Sequence, residues 1–207
     1  SQESTGLVMS ISDCQNEYEK IIFEEANIKY NANGIYFRRY SDNRPSIAQI
    51  FIYDYSNENF NETVATNIHK KVWNSGIVPL FYIFTQTDIL IFNSTQGPFN
   101  PKTQQLQYSL FDKIRLSKEI DDELCKKQKE YSARLFDNGY FLEQGKYKND
   151  FNIKNSSYES LLIALKEIRK NILHISEFKE APNVAHKLLV MSILLKYLEE
   201  RRDEYGN

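Results

Sequence analysis

Cysteine, histidine, glycine, proline and net charge are all scarce in this 207-residue chain, and each shortage removes a kind of chemistry. The two cysteines, Cys14 and Cys125, lie far apart and make no C-x-x-C pair, which argues against a zinc site or a disulfide framework and fits a cytoplasmic setting. The three histidines, His69, His174 and His186, show neither the His-x3-His nor the His-Glu-x-x-His spacing of a metal site. The seven glycines never fall as G-x-G-x-x-G, the arrangement that cradles a dinucleotide phosphate. No run of roughly 18 apolar residues occurs, so no spanning helix is expected. The opening SQESTGLVMSIS lacks a basic stretch leading into an apolar one, so neither a signal peptide nor a membrane partner is expected. With a formal net charge of -2, nucleic-acid binding requires a local basic patch.

What is present is ordinary globular material, 41% apolar and 26% charged. The length suits two modest domains better than one large one. Apolar residues at Cys14, Tyr18, Ile21, Ile22 and Ala26 recur at helical spacing and predict a first helix. Asn33-Gly34, the favoured pair for a tight turn, predicts a hairpin within IKYNANGIYFRRY. SIAQIFIYDYS is apolar on both alternating faces and reads as a buried central strand. Asn61 as N-cap, Val64, Ala65, Ile68 and Val72 at helical spacing, and Asn74-Ser75-Gly76 as a stop predict a second helix over about 62–73, with Asn74 as its cap. IVPLFYIFTQ and TDILIFNST predict a second hairpin, after which QGPFNPKT reads as a linker.

Beyond the linker the pattern turns helical. The charged stretch 117–136 carries Ile120, Leu124, Tyr131 and Leu135 on one stripe, and Asp137-Asn138-Gly139 closes it. Ser156-x-x-Glu159 has the form of a capping box ahead of Leu161, Leu165, Ile168 and Ile172. Pro182-Asn183 opens a last helix whose stripe of Val184, Leu188, Met191, Leu195 and Leu198 is wide enough to require burial. The expected architecture is therefore α/β: a mixed or mostly antiparallel sheet domain over 1–100, then an all-helical region over 101–207.

Two separated segments resemble the N-terminal region of N6-adenine DNA methyltransferases of restriction-modification systems. His69 to Asn93, HKKVWNSGIVPLFYIFTQTDILIFN, looks like the helix, Trp-Asn-x-Gly turn and strand pair of such proteins, carried by Trp73, Asn74, Gly76 and Pro79. Ala185 to Arg202, AHKLLVMSILLKYLEERR, is similar to the helix that precedes their cofactor-binding domain, and RLFDNGYF at Arg134 to Phe141 matches more loosely. The resemblance implies a non-catalytic N-terminal fragment that contacts double-stranded DNA and couples to a downstream methyltransferase domain, where S-adenosylmethionine would bind. No cofactor is expected in the fragment itself. The Asn/Asp-Pro-Pro-Tyr/Phe motif of the family is missing, since Pro45, Pro79, Pro98, Pro101 and Pro182 never pair.

Helix, three strands, helix and further strands is also the order of a PD-(D/E)xK nuclease core, which would hydrolyse DNA through magnesium held by acidic groups with an assisting lysine. SIAQIFIYDYS offers Gln49, Tyr53 and Asp54 but no Glu-x-Lys, so a nuclease-like domain without that chemistry is expected; the alternative is a magnesium-dependent endonuclease using Asp42 or Asp54. Arg38, Arg39 and Arg44, interleaved with Tyr36, Phe37 and Tyr40, form the candidate DNA-binding cluster, extended by Lys70 and Lys71. Alternation puts Arg38 and Arg39 on opposite faces. A purely structural protein-interaction module is the remaining alternative. Trp73, at helical spacing, is expected in the core.

Overall fold

The computed structural model describes residues 6–42, 44–58, 60–100, 102–103, 105–116, 122–151, 157–174 and 182–205. The fold is α/β, and among the described residues six strands form one mixed sheet in sequential order: β1 (Leu7–Val8), β2 (Gly34–Arg38), β3 (Ile47–Asp54), β4 (Leu80–Phe84), β5 (Asp88–Asn93) and β6 (Asp112–Arg115). Neighbours are antiparallel except β3 and β4, which run parallel in the register Ile50 to Leu80 through Asp54 to Phe84. Parallel neighbours need a crossover. Helix α2 (Glu62–Ser75) supplies it, capped by the Asn61 side chain, which accepts from the Val64 N–H at 3.0 Å.

The first half of the chain departs from the expected order in two places: β1 precedes the first helix, and that helix runs on into the segment expected as a strand. Helix α1 (Glu17–Tyr30) runs past Ala26 and is closed by Asn31 in the left-handed conformation, φ 56°, whose N–H bonds to the carbonyls of Ala26 and Asn27. Asn tolerates this conformation and so acts as a helix stop. The segment before Asn33-Gly34 is therefore helix rather than strand, Gly34 opens β2 instead of turning a hairpin, and only β2 and β3 lie between the two helices. The β4–β5 hairpin forms as expected, with Phe81 opposite Phe92. Helix α2 ends on Gly76, φ 61°, rather than on Asn74, because glycine takes the left-handed cap without a side-chain clash.

Each face of the sheet carries its own core, which accounts for strands that are apolar on both sides. On one face α1 and α2 pack Phe23, Ala26, Ala65, Ile68 and Val72 against Phe37, Phe51, Tyr53, Phe81 and Phe92. On the other, Tyr36, Ile50, Leu80, Ile91 and Ile114 meet Phe136, Phe141 and Phe151. Those aromatics come from α4 (Ala133–Asp137), the π-helical turn Tyr140–Gln144 and the turn after it, preceded by α3 (Asp122–Glu130). The stripe expected over 117–136 as one helix is thus broken at Tyr131–Ser132, and its residues 117–121 lie outside the described ones.

The boundary expected near residue 100 moves for the same reason. β6 extends the sheet beyond the QGPFNPKT segment, and the chain divides into compact units at Ser157/Tyr158. The second unit contains α5 (Ser157–Leu173) and α6 (Pro182–Tyr205). Ser156 of the expected capping box lies outside the described residues. The α6 stripe differs from expectation: Val184, Leu188, Met191 and Leu195 are exposed, and Ala185 alone is buried among the described residues of the helix. Among the described residues no helix is long and apolar enough to cross a membrane.

Candidate functional site

The expected basic cluster separates into buried and exposed members. Arg39 turns to the first face, where Nε and Nη2 donate to Glu19 Oε1 and Oε2 at 2.9 and 2.7 Å and Nη2 also donates to the Asp13 carbonyl at 3.0 Å. Arg38 turns to the other face, donating to the Asp137 carbonyl at 2.9 Å and pairing with Glu143. Both side chains are nearly nine-tenths buried, 12% and 13% exposed, so their guanidinium forks are already occupied by protein acceptors. The expected alternation holds, but the two residues join the sheet to its flanking elements. Arg44 remains outward, 62% exposed, chelating Asp42 and lying 4.1 Å over the Tyr40 ring. Lys70 and Lys71 are exposed on α2.

Asp42 and Asp54 do not meet. They lie beyond and at opposite ends of the eight-residue β3, whose ends are about 23 Å apart at roughly 3.3 Å per residue. Asp42 is held below the usual carboxylate range by its bond from Arg44. Asp54 is lowered by accepting the Ser56 hydroxyl and N–H, which is the work of a turn cap. Among the described residues no three His, Cys, Asp or Glu side chains converge on a point.

The structure brings together a different set of residues. Between Tyr36 and Phe37 the β2–β3 register slips: Tyr36 faces Ile50 but Phe37 faces Ala48, which leaves Gln49 as the extra residue of a β-bulge. Bulges re-aim a side chain and bend the strand, and they recur beside binding sites. Gln49 is 3% exposed, and its Oε1 has no hydrogen-bond donor. It borders a cavity of about 410 Å³ that Trp73, Gly76, Ile77, Val78 and Pro79 also line. Trp73 is only half-buried, stacked edge-on to Phe99 at 5.5 Å, and its indole N–H has no acceptor. The sequence carries a signal for Gln49, a lone amide inside an apolar strand, because a buried polar residue is more informative than an apolar one.

His69, also on α2, is a structural residue. It is buried between Phe81 and Phe92, and Nε2 lies 2.9 Å from both the Asn93 and Gln96 carbonyls, which requires the proton on Nε2 and leaves Nδ1 bare. Burial outweighs the two carbonyls and pushes the imidazole below its ordinary 6.5. A depressed folded-state value gives stability that is complete above pH 6.5 and is lost as pH falls through the folded value. Stability should therefore decline on acidification from pH 6.5 towards 5, and His69→Leu should flatten that limb while costing about 1–3 kcal/mol for the stranded carbonyls. Urea titrations at pH 5, 6 and 7 check both; an unchanged slope in the variant counts against this assignment.

No family model, no curated protein and no solved structure matches the chain.

Proposed function

We propose that this chain is the non-catalytic N-terminal part of a restriction-modification adenine methyltransferase, which contacts double-stranded DNA and couples it to a methyltransferase domain elsewhere in the same protein. The observation that carries this reading is that Trp73, Gly76 and Pro79, which carry the family resemblance, all line the bulge cavity. Arg44 lies in the loop that leads into β3, and Lys70 and Lys71 lie near the C-terminal end of α2, which leads into the parallel β4. Lys71 borders Tyr53 and Tyr55 at the far end of β3 from Arg44, so the three exposed cations do not share one end of the sheet, and DNA contact is assigned to them in place of Arg38 and Arg39 because their side chains are exposed. The exposed apolar stripe of α6 supports the coupling role, since contiguous exposed apolar surface marks an interaction site. S-adenosylmethionine and the adenine-holding motif would belong to the coupled domain.

Fluorescence anisotropy with labelled duplex DNA across a salt series tests the DNA contact. Binding should weaken as salt rises, and changing Arg44, Lys70 and Lys71 together to alanine should lower the slope of log K against log salt by up to about 3. No salt-sensitive binding at low salt would instead favour a protein-interaction module. Magnesium-dependent plasmid cleavage lost on Asp54→Ala would favour the endonuclease. An Asn-Pro-Pro-Tyr motif in the same polypeptide supports the family assignment, and its absence there overturns it.

A further inference from the structure

The second unit carries more apolar surface than its two helices cover. On α6, Val184, Leu188, Met191 and Leu195 recur at steps of four, three and four residues, and on α5, Leu161, Leu165, Ile168 and Ile172 recur at the same steps. A mean spacing near 3.5 residues is the seam of a left-handed helix bundle, in which each apolar knob enters a hole on a facing helix. Six of these eight residues lack that facing helix: Leu161, Ile168 and the four on α6 are 47–63% exposed. The buried Ala185 and half-buried Leu189 lie about 100–140° around α6 from the middle of its stripe, so the side of the helix that is covered is a different one. Val190, Ile193 and Leu194 are exposed on a third side. A helix apolar all round is a buried helix.

The amount of this surface matches what one more copy would cover. Ten large apolar side chains on α5 and α6 are about half exposed. At on the order of 100 Å² of apolar surface for each such side chain, one copy offers roughly 500 Å² and two copies about 1,000 Å², the area that a specific interface has to clear. The stripes contain no charged residue, so a second copy of the same surface meets no like charge across the seam, and a repeated seam is self-complementary about a two-fold axis. We propose that a second copy of this chain covers the stripes, α5 and α6 of the two copies forming a four-helix bundle. The inference does not rest on the methyltransferase reading, and it leaves Val190, Ile193 and Leu194 for the coupled domain.

Sedimentation equilibrium of the whole chain, without DNA and from about 1 to 100 μM, should give a mass of twice 24.4 kDa. Changing Leu188 and Leu195 together to glutamate should weaken association at least a hundredfold and return the mass to that of one chain, because two charges from each copy would enter an apolar seam. Both side chains are exposed in a single copy, so the far-UV circular dichroism of the variant should match that of the parent monomer. Ile168→Glu, which leaves α6 unaltered, should weaken the dimer as well. The mass of a single chain at 100 μM overturns the proposal, whether the rest of the chain or a methyltransferase domain then takes the stripes. A dimer that either variant leaves intact overturns it too, because its interface lies elsewhere, as does an assembly of more than two chains. Duplex binding is read separately by the anisotropy series, so failure here and failure of the DNA assignment are distinct results.

Discussion

Arg39→Met is expected to destabilise the fold by about 3–5 kcal/mol, because it removes one partner of a buried ion pair and leaves the other charge in place. Glu19 is fully buried on α1, where it accepts from Arg39 through both oxygens, from the Ser46 hydroxyl at 2.7 Å and from the Gln15 N–H at 2.8 Å. Burial alone would raise its carboxyl; the bonds from Arg39, Gln15 and Ser46 outweigh burial and hold it below the ordinary 4.5. In the parent protein this pair therefore contributes stability present above pH 4.5 and lost as pH falls through the folded value. In Arg39→Met the sign reverses: the unpaired carboxyl favours its neutral form, so the variant regains stability as pH is lowered. At roughly 2–4 °C per kcal/mol for a chain of this size, the melting temperature at neutral pH should fall by about 6–20 °C. The double variant Glu19→Gln with Arg39→Met should lose less than the single one. A fall of only a degree or two, or additivity of the two changes, would show that the pair is solvated and contributes little.

That pair also shows where sequence reading stops. Arg38, Arg39 and Arg44 look alike as a basic run, and strand alternation separates the first two correctly. What it cannot supply is the partner: Glu19 is 20 residues from Arg39, and Glu143 is 105 residues from Arg38. Local signals succeeded where the physics is local, as at the Asn61 cap and the β4–β5 hairpin. They also pointed to burial on both faces of β3. They failed where one residue had two meanings. Asn31 ends a helix in the conformation that also serves a turn, and the charged Asp112–Arg115 becomes a strand only because β5 offers an edge to pair with. The second core was hidden because its aromatics, Phe136, Phe141 and Phe151, come from short irregular elements with no sustained period. Gln49 was visible as an oddity, but its role follows from a register slip that depends on pairing with β2.

Phe81→Ala should cost the fold about 3–5 kcal/mol, the range for emptying a buried aromatic position. Phe81 is fully buried at the second position of β4 and stacks on its cross-strand partner Phe92 with ring centroids 4.7 Å apart and planes within 4°. Tyr53 from β3 meets it edge-on at 6.0 Å, and His69 from α2 does so at 5.3 Å. One ring therefore joins both strand neighbours to the crossover helix. Truncation strands the edge of Tyr53, uncovers one face of His69 and removes a cross-strand pair worth about 0.5–1.5 kcal/mol beyond its area. Phe81→Leu keeps much of the volume and should lose roughly 1–2 kcal/mol. Guanidinium unfolding of the two variants measures the difference. If Phe81→Ala loses no more than Phe81→Leu, the helices α1 and α2 collapse onto the vacated space, and the first core is held by them rather than by the aromatic stack.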